Sequence, residues 1–111
     1  MEPVILIRQE DATHELLAAT DYCIGIEEKR IYTHRWITVH PDDLLLFYTD
    51  GLTEAEAPGG EFFGRERVLE ILRAKQENGT SDILKEILNA LKRFLGEKTL
   101  SDELSLLLIK F

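Results

Sequence analysis

The apolar run Leu44-Leu45-Leu46-Phe47, closed by Tyr48-Thr49-Asp50-Gly51, constrains this chain more than any other stretch. A short apolar run bounded by turn residues reads as a strand buried on both faces. Asp-Gly then ends the strand, because both residues favour turns, and the aspartate brings a carboxylate to the edge of the core. Carboxylates placed this way are the oxygen donors that hard divalent cations take. A second acidic pair, Asp102-Glu103, directly precedes another apolar run, Leu104 to Phe111. Two strands, each with an aspartate at one end, predict one shared site built on Asp50 and Asp102. The competing readings are an Asx-Gly turn at Asp50 and a loop or cap residue at Asp102.

The rest of the pattern divides the chain into a strand-rich first half and a helix-rich second half. Val4 to Arg8 predicts a short strand. Asp11 to Ala19 fits either a loop with a short strand or one helical turn. Tyr22 to Ile26 predicts a strand containing Gly25. Arg30 to His40 predicts another, from its β-branched and aromatic content. Pro41-Asp42-Asp43 breaks it, and the short connection makes Leu44 to Thr49 its expected antiparallel neighbour. Ala57-Pro58-Gly59-Gly60 is the clearest loop, continued by Glu61 to Gly64, and reads as an ordinary loop or a substrate flap. Helical periodicity starts near Arg65, with Val68, Leu69, Ile71 and Leu72 on one face, and Asn78-Gly79 ends it. Thr80 or Ser81 can cap a second helix, whose Ile83, Leu84, Ile87, Leu88, Leu91, Phe94 and Leu95 recur at three- and four-residue steps. Gly96 is placed to stop it. The fold class expected is α+β, a mostly antiparallel sheet with two amphipathic helices.

Composition narrows the function classes. The 111 residues suffice for one small domain or part of one, and 44% hydrophobic residues argue for a packed core. A net charge of -8, from 21 acidic and 13 basic residues, argues against a nucleic-acid partner, which needs basic patches. No apolar run approaches the roughly 20 residues of a membrane helix, so no membrane insertion is expected. Met1-Glu2-Pro3 lacks the basic start and long apolar segment of a signal peptide. The one cysteine, Cys23, cannot form an internal disulfide and reads as a small buried hydrophobe, so a cytoplasmic location is expected. His14, His34 and His40 share no spacing suited to chelation.

The segment Asp43-Leu44-Leu45-Leu46-Phe47-Tyr48-Thr49-Asp50-Gly51-Leu52-Thr53-Glu54-Ala55 closely resembles "GDLLLLYTDGVTEA" of the metal-dependent serine/threonine phosphatases. The resemblance is to the sporulation stage II E branch of the PPM (2C-type) phosphatases. Phe63-Gly64-Arg65-Glu66-Arg67-Val68 is similar to that family's "FGxERL" helix start, and Ser81 to Leu95 to its last helix. Ser101 to Leu108 is similar to its closing "DDxTLLV" strand, and Cys23-Ile24-Gly25-Ile26 to its "PLGI" turn. The four motifs occur in the family's order and cover nearly the whole chain. The resemblance implies that the chain forms part of an α-β-β-α phosphatase sandwich. It implies that Asp50 and Asp102 are ligands of a two-metal Mn²⁺ or Mg²⁺ centre, whose bridging hydroxide attacks a phosphoserine or phosphothreonine in line. No protein nucleophile is needed. Gly51, Glu54 and Glu103 are candidates to support the ligands, with solvated surface the favoured reading for Glu54 and an equal alternative for Glu103. The implied substrate is a phosphoprotein, such as an anti-sigma-factor antagonist in bacterial regulatory signalling.

The departures carry expectations too. Glu103 replaces a usual second Asp or Asn, Asp42 a turn glycine, and Cys23 a common proline or leucine. The family's early "GGDxYD" and "DVxGHG" motifs, which supply the ligands bridging both metals, have no match. The chain is therefore expected to be the C-terminal half of a phosphatase domain. Alone it is expected to bind metal weakly and to be inactive, or to serve as a self-associating module, since half a sheet invites pairing into a homodimer.

Overall fold

The computed structural model describes residues 3–17, 37–100 and 103–111. Among them, β1 (Val4–Ile7), β2 (His14–Leu17), β3 (Leu44–Tyr48) and β4 (Leu106–Lys110) form one antiparallel sheet in the order β2-β1-β3-β4. Three helices accompany it: α1 (Asp50–Thr53), α2 (Gly64–Lys75) and α3 (Thr80–Leu95). The architecture is α+β, as expected, with a one-turn third helix where a bare turn was expected.

Helices α2 and α3 cover one sheet face. Ile83, Ile87, Leu91 and Leu95 fall four residues apart, so they line a single stripe of α3, and all four are buried. From α2, Val68, Leu69 and Leu72 join them, and together they meet Ile5, Ile7, Leu44, Leu46, Tyr48 and Leu108 of the sheet. Phe63 wedges in at the start of α2, with its ring edge-on to Phe94 at 5.4 Å. The Arg67 guanidinium lies 4.5 Å above that same Phe94 ring. Gly96 ends α3 with a left-handed φ of 62° and donates its N–H to the Lys92 carbonyl. The carbonyls of Gln76 and Asn78, just past the end of α2, accept from the Lys110 ammonium of β4 at 3.1 and 3.0 Å.

Two expectations about β3 are corrected. It is buried on one face only: Leu44, Leu46 and Tyr48 are buried, but Leu45 is half-buried and Phe47 is 40% exposed. Among the described residues its neighbours are β1 and β4, not the described part of the 30–40 run. The reason lies at Asp43, whose side chain accepts the Gln9 N–H at 2.9 Å and so fastens the entry of β3 to the exit of β1. Residues 37–40 carry no strand structure. The remainder of the 30–40 run and the expected 22–26 strand, with Cys23, lie outside the described residues. The ambiguous 11–19 stretch contains β2, in a hairpin with β1. The loop at 57–60 is a closed turn, with Gly60 N–H donating to Ala57 O and Ala57 N–H to Glu61 O.

Asp42 adopts a φ of 70°. An L-residue in that region costs about 1–2 kcal/mol, less for Asp, whereas glycine enters it freely but loses more backbone entropy on folding. Asp42→Gly is therefore expected to stabilise the fold slightly, by about 0.5 kcal/mol, read as a higher urea midpoint at an unchanged slope.

Candidate functional site

The strand β3 ends at Tyr48, and the β3–β4 register ends there too, with Tyr48 opposite Leu106. One more backbone bond follows, from the Thr49 N–H to Ser105 O at 3.2 Å. Beyond it the Thr49 side chain takes over. Its hydroxyl donates to the Glu103 carbonyl at 3.1 Å and accepts the Ser105 N–H at 3.0 Å. Asp50 then opens α1 with its side chain exposed. The turn is closed by Leu52 N–H donating to Thr49 O and Glu54 N–H donating to Asp50 O.

Gly51 is buried, and its environment explains why no larger residue stands there. A Cβ built on it would overlap the Glu103 carbonyl oxygen and lie 2.9 Å from the Glu103 carbonyl carbon. The opposing atoms are backbone and cannot swing away. Gly51→Ala is expected to cost about 2 kcal/mol, within the usual range for overpacking, and thermal unfolding would measure it. The contact puts the Asp50-Gly51 turn directly against the residue that follows Asp102 in the chain. Asp102 itself lies outside the described residues. Glu103 is exposed, as is Glu54 at the C-terminal end of α1.

The two phosphatase-like motifs at 43–55 and 63–68 also meet. The Arg65 Nε donates to the Tyr48 hydroxyl at 3.2 Å, joining the first turn of α2 to the end of β3. Thr49 and Arg65 sit inside the motifs, but periodicity gives no hint of their contacts. Their hydrogen bonds depend on which strands become neighbours.

Among the described residues, the side chain that the Asp50 turn offers as a metal donor is the exposed Asp50 carboxylate. An exposed carboxylate beside a backbone-lined turn suits Mn²⁺ or Mg²⁺ rather than a soft metal. The donor number is short, however: among the described residues no group of three or more His, Cys, Asp or Glu side chains gathers to hold an ion. The histidines are spent elsewhere. His14 Nδ1 meets the Arg73 guanidinium, and His40 lines the cavity at the opposite end of the sheet. His34 lies outside the described residues.

The opposite end of the sheet holds a polar cavity of about 610 Å³ lined in part by Arg8, Glu15, His40 and Asp43. The Asp43 carboxylate in its wall is 2% exposed. It accepts from the Gln9 and His40 backbone N–H groups and from the Arg8 guanidinium at 3.1 Å. Arg8 also donates to Glu15 at 2.8 Å and to the Thr38 carbonyl at 2.6 Å. Burial alone would raise the Asp43 carboxyl, but the Gln9 and His40 N–H groups and then Arg8 outweigh it and hold it below the ordinary carboxylate range. These bonds join residues 8–9 at the exit of β1 to Asp43 at the entry of β3, so the cluster fastens the two strands together. Sequence reading missed it, and the signal available was an aspartate between a turn and an apolar run.

No described helix is long and apolar enough to cross a membrane. Against known proteins, residues 1–111 match the family model described as Stage II sporulation protein E (SpoIIE). Protein IcfG of Synechocystis sp. is 36% identical over 87 residues, which is 77% of this chain and 14% of that protein. The SiaA-PP2C domain of Pseudomonas aeruginosa superposes with a TM-score of 0.79 at 19% identity, over 99% of this chain and 43% of that one. That likeness is one of fold. The chain thus spans about a seventh of the curated relative and less than half of the solved structure.

Proposed function

The chain belongs to the stage II sporulation protein E (SpoIIE) family, and on that premise we propose that it is the C-terminal part of a metal-dependent phosphoprotein phosphatase domain. The observation that carries this reading is the packing of Gly51 on Glu103, which places the Asp50 turn beside the segment leading from Asp102 into β4. In this reading Asp50 and Asp102 supply two carboxylates to a Mn²⁺ or Mg²⁺ site, and the upstream part of the protein supplies the rest. The metal, when bound, activates water and offsets charge on the phosphoryl oxygens. The chain's own part is geometric. The β3–β4 ladder and the Gly51 contact hold the Asp50 turn against Glu103, the residue that follows Asp102. The substrate class is phosphoserine or phosphothreonine on a protein, such as an anti-sigma-factor antagonist, in cytoplasmic bacterial signalling.

Hydrolysis of a phosphoserine peptide tests the reading, comparing the full-length protein in Mn²⁺, the same protein in EDTA, and this 111-residue chain alone. Activity is expected only in the first. Equal activity in EDTA, or none in any sample, would reject the proposal. A second reading, a self-associating or protein-binding module, draws on one observation. On the face turned away from the helices, Phe47 pairs with Leu107 and Leu45 with Ile109, and Phe47, Leu107 and Ile109 are 40%, 56% and 36% exposed. Sedimentation of the isolated chain addresses it, and a folded monomer at high dilution counts against it.

A further inference from the structure

We propose that the groove between α2 and α3 is a docking site for an acidic protein segment that carries one apolar anchor residue. The two helices are joined by a short connection, and Phe63 at the start of α2 meets Phe94 in the last turn of α3, so they run antiparallel. Between them lies an open cavity of about 410 Å³. Its apolar wall is formed by Phe63, Ile71, Ala90 and Phe94. Ala90 has the smallest side chain of the four, and its methyl group leaves room for a partner's side chain against Ile71 and the Phe94 ring.

Charge selects the occupant. Arg67 and Arg93 line the same end of the groove, since the Arg67 guanidinium lies 4.5 Å from the ring of Phe94, the residue next to Arg93. Arg67 is held there by its Nη1, which donates to the Phe62 and Phe63 carbonyls at 3.1 and 2.7 Å. Its Nη2 pairs loosely with the exposed Glu61 carboxylate at 3.7 Å, and Arg93 pairs with Glu86 at 3.3 Å. Solvent-exposed pairs of this kind contribute little, so a partner's carboxylate displaces them at small cost. A guanidinium already fixed over an aromatic ring also loses little freedom when a carboxylate binds it. Glu70 lines the groove one turn along α2 from Arg67 and repels acid there. The partner's carboxylates therefore belong at the Arg67–Arg93 end, and its apolar side chain on Phe94, Ala90 and Ile71. On a chain of net charge -8, two arginines beside one apolar wall are a local exception, and that local match sets which acidic segments bind.

The test presents the full-length protein to a phage-displayed library of short random peptides. Enriched peptides are synthesised with a fluorescent label, and their affinities are read by anisotropy against wild type, Arg93→Glu, Ala90→Gln and Lys85→Glu. Lys85 is an exposed cation of α3 that does not line the groove, so its variant controls for net charge. The enriched peptides are expected to place Asp or Glu within a few residues of Leu, Phe or Trp. Arg93→Glu, which reverses the charge, and Ala90→Gln, which fills the cavity, are each expected to weaken binding by at least about tenfold, and Lys85→Glu by less than about threefold. Arg93→Glu changes an exposed position and decides the matter alone if Ala90→Gln does not fold. Peptides that are basic, that lack an apolar residue, or that bind the groove variants like wild type overturn the proposal, and so does a library that yields no binder. Sedimentation covers the remaining occupant: self-association of the wild type that Ala90→Gln abolishes assigns the groove to a second copy and overturns the proposal as well.

Discussion

Asp50→Ala in the full-length protein is expected to lower kcat/KM for a phosphoserine peptide by on the order of a thousandfold while leaving thermal unfolding nearly unchanged. Both halves of that expectation come from position. The Asp50 side chain is exposed at the first residue of a four-residue helix, so its removal opens no cavity in the core. The loss of a favourable charge at a helix start is worth about 0.3–1 kcal/mol at most. In the proposed phosphatase, by contrast, transition-state charge on the phosphoryl group would be offset by metal held on carboxylates, and losing a ligand would remove several kcal/mol of that stabilisation. Gly51→Ala is the informative contrast, because the neighbouring residue is buried against backbone and its substitution shifts stability first. Rates with and without Mn²⁺, together with melting curves of both variants, separate chemistry from folding. An Asp50→Ala protein within tenfold of wild type, with metal saturating, would sink the ligand assignment.

Some of this arrangement was legible in the chain and some was not. The seam of α3 was readable because Ile83, Ile87, Leu91 and Leu95 repeat at the helical period, and that period is local. The termination of α3 at Gly96 was readable for the same reason. The neighbours of β3 were not. Antiparallel pairing of residue 5 with residue 46, and of residue 46 with residue 108, depends on partners far along the chain, and a short connection is only a weak guide. The exposure of Phe47 was misread because an apolar run has no alternation to show which face is covered. At the candidate site Asp50 and Asp102 were expected to share one site; Asp102 lies outside the described residues, and what is seen is Gly51 packed on the Glu103 backbone. The hydroxyl of Thr49 that joins them was not anticipated, because a threonine in a strand is usually explained by β-propensity alone. Asp43 was overlooked because its destination, the backbone of Gln9 and His40, exists only once the strands are paired.

That overlooked carboxylate is expected to matter most for stability. Asp43→Ala should destabilise the fold by about 3 kcal/mol, since it leaves the Gln9 and His40 N–H groups without their acceptor and Arg8 without its buried partner. Asp43→Asn keeps the shape and one accepting oxygen, so its cost at neutral pH should be smaller, about 1.5–2 kcal/mol, and its pH dependence separates charge from packing. The folded-state pKa of Asp43 lies below its unfolded value of about 3.9, so its stabilisation is fully present above that value. As pH falls through 3.9 toward the lower folded value, the folded protein must take up a proton against its hydrogen bonds, and the stabilisation is lost. The difference in unfolding free energy between wild type and Asp43→Asn should therefore be constant from about pH 7 to 5 and shrink below about pH 4. Asp11, whose carboxyl is held down by the Thr13 hydroxyl and N–H, titrates in both proteins and cancels from the difference. Urea unfolding at each pH gives the measurement. A difference that stays flat down to pH 3 would mean the carboxylate's charge contributes nothing, and that the Asp43 cluster holds β1 to β3 by geometry alone.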